Sequence, residues 1–204
     1  QDLLAKQSGL KTDKTGLTNS KAELDALVNE DPTPGKTTDT AKTYNAAKEA
    51  AKTEIAAALT VINDENATPE QVSAALEKVN AKKVALQQAK DGLIEAATTE
   101  EKAKLKTDSD ALKKADTTGK TADSIKVYEA EFEKLKDQLE VAKKEAAAVL
   151  AKENNASKAE VQAAQAKVDA AKTALDTAAE SLKDLDRDTA KKEIADAAKK
   201  ATDA

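Results

Sequence analysis

The residues best placed to do chemistry fall into a few short arrangements. Gly35-Lys36-Thr37 and Gly119-Lys120-Thr121 carry the ending of a phosphate-binding loop. Such a loop needs another Gly five residues before its second one, and a preceding strand, so that backbone amides can wrap the phosphates. Glu30 and Lys114 stand where that Gly is needed. A turn between two helices, followed by a polar helix start, is the expected role instead. Asp184-x-Asp186-x-Asp188 begins like a calcium loop, but its sixth place is Thr189 rather than Gly and its twelfth is Ala195 rather than Glu. The spacing predicts a polar break before a last helix. Asn66-Ala67-Thr68 and Asn155-Ala156-Ser157 have the spacing of glycosylation acceptors. Their Thr and Ser also head capping-box spacings, which account for them without a glycan. Tyr44 and Tyr128 are predicted core anchors with the hydroxyl at a bundle edge, in preference to exposed ligand contacts.

What is missing narrows the chemistry further. The 204 residues include no Cys, His, Met or Trp. This leaves no thiolate or imidazole for a metal, no disulfide, and no Ser-His-Asp or Cys-His nucleophile. No catalytic residue, metal site or cofactor is expected. Carboxylates are plentiful, but none sits in an apolar setting that would raise its pKa for acid-base work. With 33 basic and 38 acidic residues the net charge is −5, which argues against a nucleic-acid partner. No run approaches the roughly 20 apolar residues of a membrane span. The start at Gln1, with no initiator Met, reads as a processed or excised segment. Absence of Cys suits the cytosol and Gram-positive secreted proteins alike.

These residues must be positioned by helices. Of the hydrophobic 40%, 45 residues are Ala, and the larger side chains are mainly 18 Leu, 10 Val and 5 Ile. Ala, Glu, Lys and Leu with little Gly compose helices. The segment 66–93 matches 155–182 at 13 of 28 positions with an offset of 89. Gly35 to Tyr44 matches Gly119 to Tyr128 at an offset of 84, and Asp25-Ala26-Leu27 matches Asp110-Ala111-Leu112. A unit of about 85 residues that occurs twice implies tandem domains.

Within each unit the signals predict three helices. The first starts at a capping box, Ser20-x-x-Glu23 or Thr98-x-x-Glu101. After a Gly-containing turn, the second runs from about 39 to 63, or from about 123 to 154. The third opens at Thr68-x-x-Gln71 or Ser157-x-x-Glu160, with Pro69 at its first position. Ile125, Tyr128, Phe132, Leu135, Leu139, Ala142, Ala146 and Val149 step by threes and fours, as do Val161 through Leu175 to Leu185. These are seams of coiled-coil type, with Phe132 and Leu175 as core anchors. In the first copy Lys48 interrupts the corresponding seam. The expected fold is all-α: two tandem three-helix bundles forming an elongated rod. Its divisions are an N-terminal extension (1–16), repeat one (17–98), repeat two (99–185) and a C-terminal helix (186–204). With no Gly or Asn stopper near Thr98-Thr99, a near-continuous helix from about 69 to 115 is expected.

The two copies resemble the FIVAR module ("found in various architectures") of Gram-positive surface proteins over residues 20–183. Tyr44, Ile55, Ala67-Thr68, Val72, Ala75 and Leu86 carry the resemblance in copy one, and Tyr128, Leu139, Ala156-Ser157, Val161, Ala164 and Leu175 in copy two. The resemblance implies a three-helix module in a cell-wall-anchored bacterial surface protein, anchored through regions outside this chain. It further implies adhesion, with host matrix or plasma proteins as partners, fibronectin and plasminogen foremost. No ligand-binding residue transfers, because the matching positions are caps and core. A monomeric, non-enzymatic adhesin segment is thus the leading expectation. A passive stalk presenting a distal adhesive domain is the alternative, and a cytosolic helical scaffold a third.

Overall fold

The computed structural model describes residues 11–202. Its helices are α1 (Thr15–Val28), α2 (Thr38–Asn63), α3 (Pro69–Asp91), α4 (Thr99–Asp110), α5 (Ala122–Leu150), α6 (Lys158–Ala179) and α7 (Arg187–Thr202), with a 3-10 turn at Glu153–Asn155. Among the described residues there is no strand, and the class is all-α. The chain divides into two compact units, 1–96 and 97–204. In the first, α1, α2 and α3 pack pairwise as a three-helix bundle, and in the second α4, α5 and α6 do the same.

Each bundle has its own core. Leu17, Leu24, Tyr44, Ala51, Ala58, Val72, Val79 and Leu86 fill the first; Leu105, Leu112, Leu139, Ala146, Val161, Val168, Ala171 and Leu175 fill the second. The Ala positions let helix axes approach closely, while each buried Leu or Val supplies about 1.5–3 kcal/mol of transfer free energy. Phe132 is partly buried, tilted against Tyr128 with ring centroids 6.0 Å apart.

Two sequence expectations are corrected. Ser20 does not begin a helix: α1 starts five residues earlier at Thr15, and Ser20 lies inside it, buried, with its hydroxyl 2.6 Å from Asn80 Oδ1 of α3. A Ser-x-x-Glu spacing is also compatible with a helix interior, and Leu17 ahead of it is needed in the core. The first helix therefore reaches into the predicted N-terminal extension, whose residues 1–10 lie outside the described residues. The expected helix from 69 to 115 is likewise broken. It stops at Asp91 with Gly92 at its C-cap, and the chain runs non-helically to Thr98 before α4 starts. The break is tertiary in origin, because residues 94–96 are drawn into hydrogen bonds with the α1–α2 loop.

Lys48, placed by the sequence as a flaw in the seam, spans from α2 to the end of α1, where its ammonium donates to the Glu30 carbonyl at 2.7 Å. Glu30 lies just past the end of α1, where a cation complements the helix dipole.

Candidate functional site

The Gly-Lys-Thr motifs are backbone clasps. Gly35 and Gly119 have φ of 73° and 74°, a left-handed conformation that Gly adopts without penalty. Each sits third in a turn closed by Lys36 N–H to Thr33 O, or Lys120 N–H to Thr117 O. Beyond the turn, Thr37 N–H donates to Ile94 O (2.8 Å) and Ala96 N–H to Gly35 O (2.9 Å). In the second unit Thr121 N–H donates to Lys183 O (2.9 Å) and Leu185 N–H to Gly119 O (2.8 Å). These are isolated antiparallel bridges, Lys36 to Glu95 and Lys120 to Asp184, that tie the loop after the first helix to the segment leaving the third. The Lys and Thr amides that a phosphate would require already donate to protein carbonyls. Asp31 and Asp116 brace the turns: Thr33 and Thr118 each donate through hydroxyl and amide to the preceding carboxylate, which holds both acids below their ordinary range.

No atom lies within 4 Å of where a side chain at Gly119 would begin, so the demand there is purely conformational. Gly119→Ala should therefore cost about 1–2 kcal/mol, the price of a left-handed non-Gly residue, and Gly119→Asn clearly less. Urea midpoints of the two variants check this, and equal midpoints for wild type and Ala would contradict it.

The Asp184-x-Asp186-x-Asp188 series is used locally. Asp184 pairs with Lys120 at 2.6 Å, and the Asp186 carboxylate accepts the Asp188 amide at 3.0 Å as α7 begins. Among the described residues no group of three His, Cys, Asp or Glu is arranged to hold a metal ion. Among the described residues no helix is long and apolar enough to cross a membrane.

At the opposite loop of each bundle, Thr68, Thr98 and Ser157 each form a reciprocal capping box, with Gln71, Glu101 and Glu160 respectively. Both sequon hydroxyls are thus engaged by backbone amides. Buried Ala67 and Ala156 follow the sequon Asn residues, and their carbonyls receive the incoming chain: Thr12 Oγ1 donates to Ala67 O, and Ala97 N–H to Ala156 O. Glu160 has the deepest set of donors. Lys152 is the largest influence, followed by the Ser157 amide and hydroxyl, and together they lower its pKa to about 2 from an ordinary 4.5. Because the folded value lies below the unfolded one, this contribution is complete above about pH 4.5 and is lost as pH falls toward 2. Glu160→Gln should accordingly show a shallower loss of stability than wild type between those two pH values, measured as urea midpoint against pH. Parallel curves would sink the assignment.

Tyr44 and Tyr128 are fully buried in their cores. The Tyr128 hydroxyl accepts the Ala115 amide at 2.6 Å, whereas the Tyr44 hydroxyl donates to Glu30 O at 3.4 Å. Burial, with Glu30 nearby, raises the Tyr44 pKa. Neither ring is available to a ligand.

The surface offers more than the motifs do. In the second unit a recess of about 550 Å³ opens between α4 and α5, lined by Lys106, Ser109, Asp110, Lys143, Ala147 and Leu150. Ser109, one of its lining residues, occupies the repeat position that fully buried Leu24 fills in the first unit. Between α5 and α6, two adjoining recesses of about 340 and 290 Å³ share Lys167, with Val141, Ala142 and Ala170 along one and Ala148, Val149 and Ala163 along the other. Val141 is 52% exposed. Sequence reasoning missed this face, although Val141 stands outside the seam and its position was a usable signal.

The FIVAR domain profile matches residues 13–87 and 108–176, one match in each bundle. The chain belongs to the FIVAR family. The first FIVAR match spans α1, α2 and most of α3, whereas the second begins at the end of α4 and covers α5 and most of α6. Over 143 residues, 70% of its length, the FIVAR chain is 36% identical to extracellular matrix-binding protein EbhB of Staphylococcus aureus strain N315. It is equally similar to extracellular matrix-binding protein ebh of strain USA300. It spans only 4% and 1% of those two proteins. A solved structure from work on Embp-mediated adherence of Staphylococcus epidermidis to fibronectin aligns with 82% of this chain and 98% of its own, at 23% identity and a TM-score of 0.33.

Proposed function

We propose that this chain is a non-enzymatic segment of a bacterial surface adhesin that binds a host extracellular matrix or plasma protein, with fibronectin the first partner to test and plasminogen the second. The observation that carries the reading is the 36% identity, across both repeats, to proteins named for extracellular matrix binding. The site chemistry supports it from the other direction: the motifs that resemble phosphate and calcium loops are consumed by clasps and caps, and what remains is helical surface with open apolar recesses. Wall anchoring through regions outside this chain and a monomeric state complete the proposal. Purified chain should bind immobilised fibronectin or plasminogen in a surface-plasmon assay, with collagen and fibrinogen as further arms. No binding to any of the four above an unrelated helical protein at micromolar concentration would overturn it.

A second reading, a passive spacer, is favoured by the junction. Ala96 donates its amide within the first unit and Ala97, the next residue, donates within the second, so the repeats follow one another without a free linker. If an unrelated helical segment of equal length restores adhesion in a deletion strain, the spacer reading stands and the binding one falls.

A further inference from the structure

Setting the two repeats against each other singles out one face of the second. The ion pair Lys21–Asp25 of α1 recurs on α4 as Lys106–Asp110, at 2.5 and 2.8 Å. Two neighbouring places do not recur. Fully buried Leu24 gives way to Ser109, and, counting from the matched tyrosines, exposed Leu59 of α2 gives way to Lys143 of α5. Both changes fall on the recess of about 550 Å³ between α4 and α5, whose apolar lining is Ala147, Leu150 and Ala151. At its rim Lys106 and Asp110 neutralise each other, while Lys143 has no hydrogen-bond or ion-pair partner among the described residues. In a chain whose net charge is −5, this recess therefore carries one surplus ammonium. The Ser109 hydroxyl already donates to the Lys106 carbonyl at 3.0 Å, so an apolar group can settle over it without stranding a polar atom.

Lys143 also borders a second recess of about 260 Å³, where partly buried Phe132 lies with Lys136 and Glu140. Lys136 is held by Glu133 at 2.9 Å, which leaves exposed Glu140 as the carboxylate that opposes an incoming anion. From Lys136 to Ala151 the helix rises about 22 Å, the length of about seven extended residues. A trough of that length, lined by small apolar side chains, suits a peptide chain better than a compact molecule. We infer that the α4–α5 face of the second repeat docks an acidic peptide segment, with an apolar side chain seated between Ser109 and Ala147 and a carboxylate on the Lys143 ammonium. That the segment belongs to a host matrix or plasma protein rests on the function proposed above. Charge selects the occupant: an acidic segment matches the unpaired cation, whereas a basic one sets like charges together.

The probe is the peptide acetyl-Gly-Glu-Leu-Glu-Phe-Glu-Gly-amide, whose alternation turns Leu and Phe to one face when extended. Added to the 204-residue chain, it should shift the amide resonances of Lys106, Ser109, Lys143 and Ala147 with a Kd below about 1 mM. Resonances of Lys21, Leu24 and Leu59 should stay in place, and a counterpart peptide with Lys for Glu should shift neither set. Lys143→Glu should weaken binding about fivefold or more, and Glu140→Gln should strengthen it. Ala147→Gln, a change at an exposed helical position, should erase the shifts with the urea midpoint unchanged. No shifts at the four amides, an equal response to both peptides, or shifts that survive Ala147→Gln would overturn the inference. Immobilised fibronectin and plasminogen separate it from the adhesin reading. If the chain binds either and the Lys143→Glu, Ala147→Gln double variant binds equally well, the inference falls and the adhesin reading stands. If the chain binds neither while the peptide responses hold, the adhesin reading falls and the docking face stands.

Discussion

Tyr128→Ala should lower the unfolding free energy of the second bundle by about 3–5 kcal/mol, the range for deleting a buried aromatic side chain. The ring has no solvent exposure, lies against Phe132, and its hydroxyl holds the Ala115 amide at 2.6 Å. The loss therefore combines a cavity with an unpaired donor. Tyr128→Phe separates the two, because it keeps the ring and strands only the amide. It should cost about 1 kcal/mol, the lower end for an unsatisfied group at a partly buried position. The matched change in the other repeat should cost less. Tyr44 offers its hydroxyl at 3.4 Å to a carbonyl that Lys48 already serves at 2.7 Å, so Tyr44→Phe removes a redundant donor. Urea unfolding of the three variants measures the set, and equal effects of the two Phe substitutions would contradict the hydrogen-bond assignment.

Leu175→Ala is the second large effect, at about 2–5 kcal/mol. Leu175 is 6% exposed on α6, within a core otherwise rich in Ala, where few large side chains share the burial. Leu175→Met, which nearly conserves volume, should cost under about 1.5 kcal/mol. An unchanged unfolding midpoint for the Ala variant would show that this side chain does not face the core. Leu86, its counterpart in the first repeat and 1% exposed, should behave alike.

The parts of this fold that could be read from the sequence are those decided within one or two helical turns. Capping boxes place donor and acceptor three residues apart, and Thr68, Thr98 and Ser157 form them. The stepping of Val161, Val168 and Leu175 is a single-helix pattern, and those residues line one core. The misreadings arose where distant chain segments decide. Ser20 has the spacing of a cap, but its hydroxyl is claimed by Asn80, sixty residues away. The stop after Asp91 has Gly92 as a local signal, but the bridge from Glu95 to Lys36 that holds the segment beyond it has none. Lys48 looked like a flaw because its partner, the Glu30 carbonyl, lies in the loop after α1, outside its own helix. The recess at Ser109 is legible only by setting one repeat against the other, since Leu24 shows what is missing.

The paired amides of Ala96 and Ala97 bear on how this molecule can be taken apart. Boundaries between compact units ordinarily fall in exposed, mobile linkers, where proteases nick first. Here the boundary peptide is flanked by two residues whose amides are both bonded, and Ala97 is buried. A protease can thread this stretch into its active site only after one bundle lets go of it. The rate of cleavage between the repeats, followed over time at low enzyme concentration, would then report the opening equilibrium of a bundle end rather than the looseness of a tether.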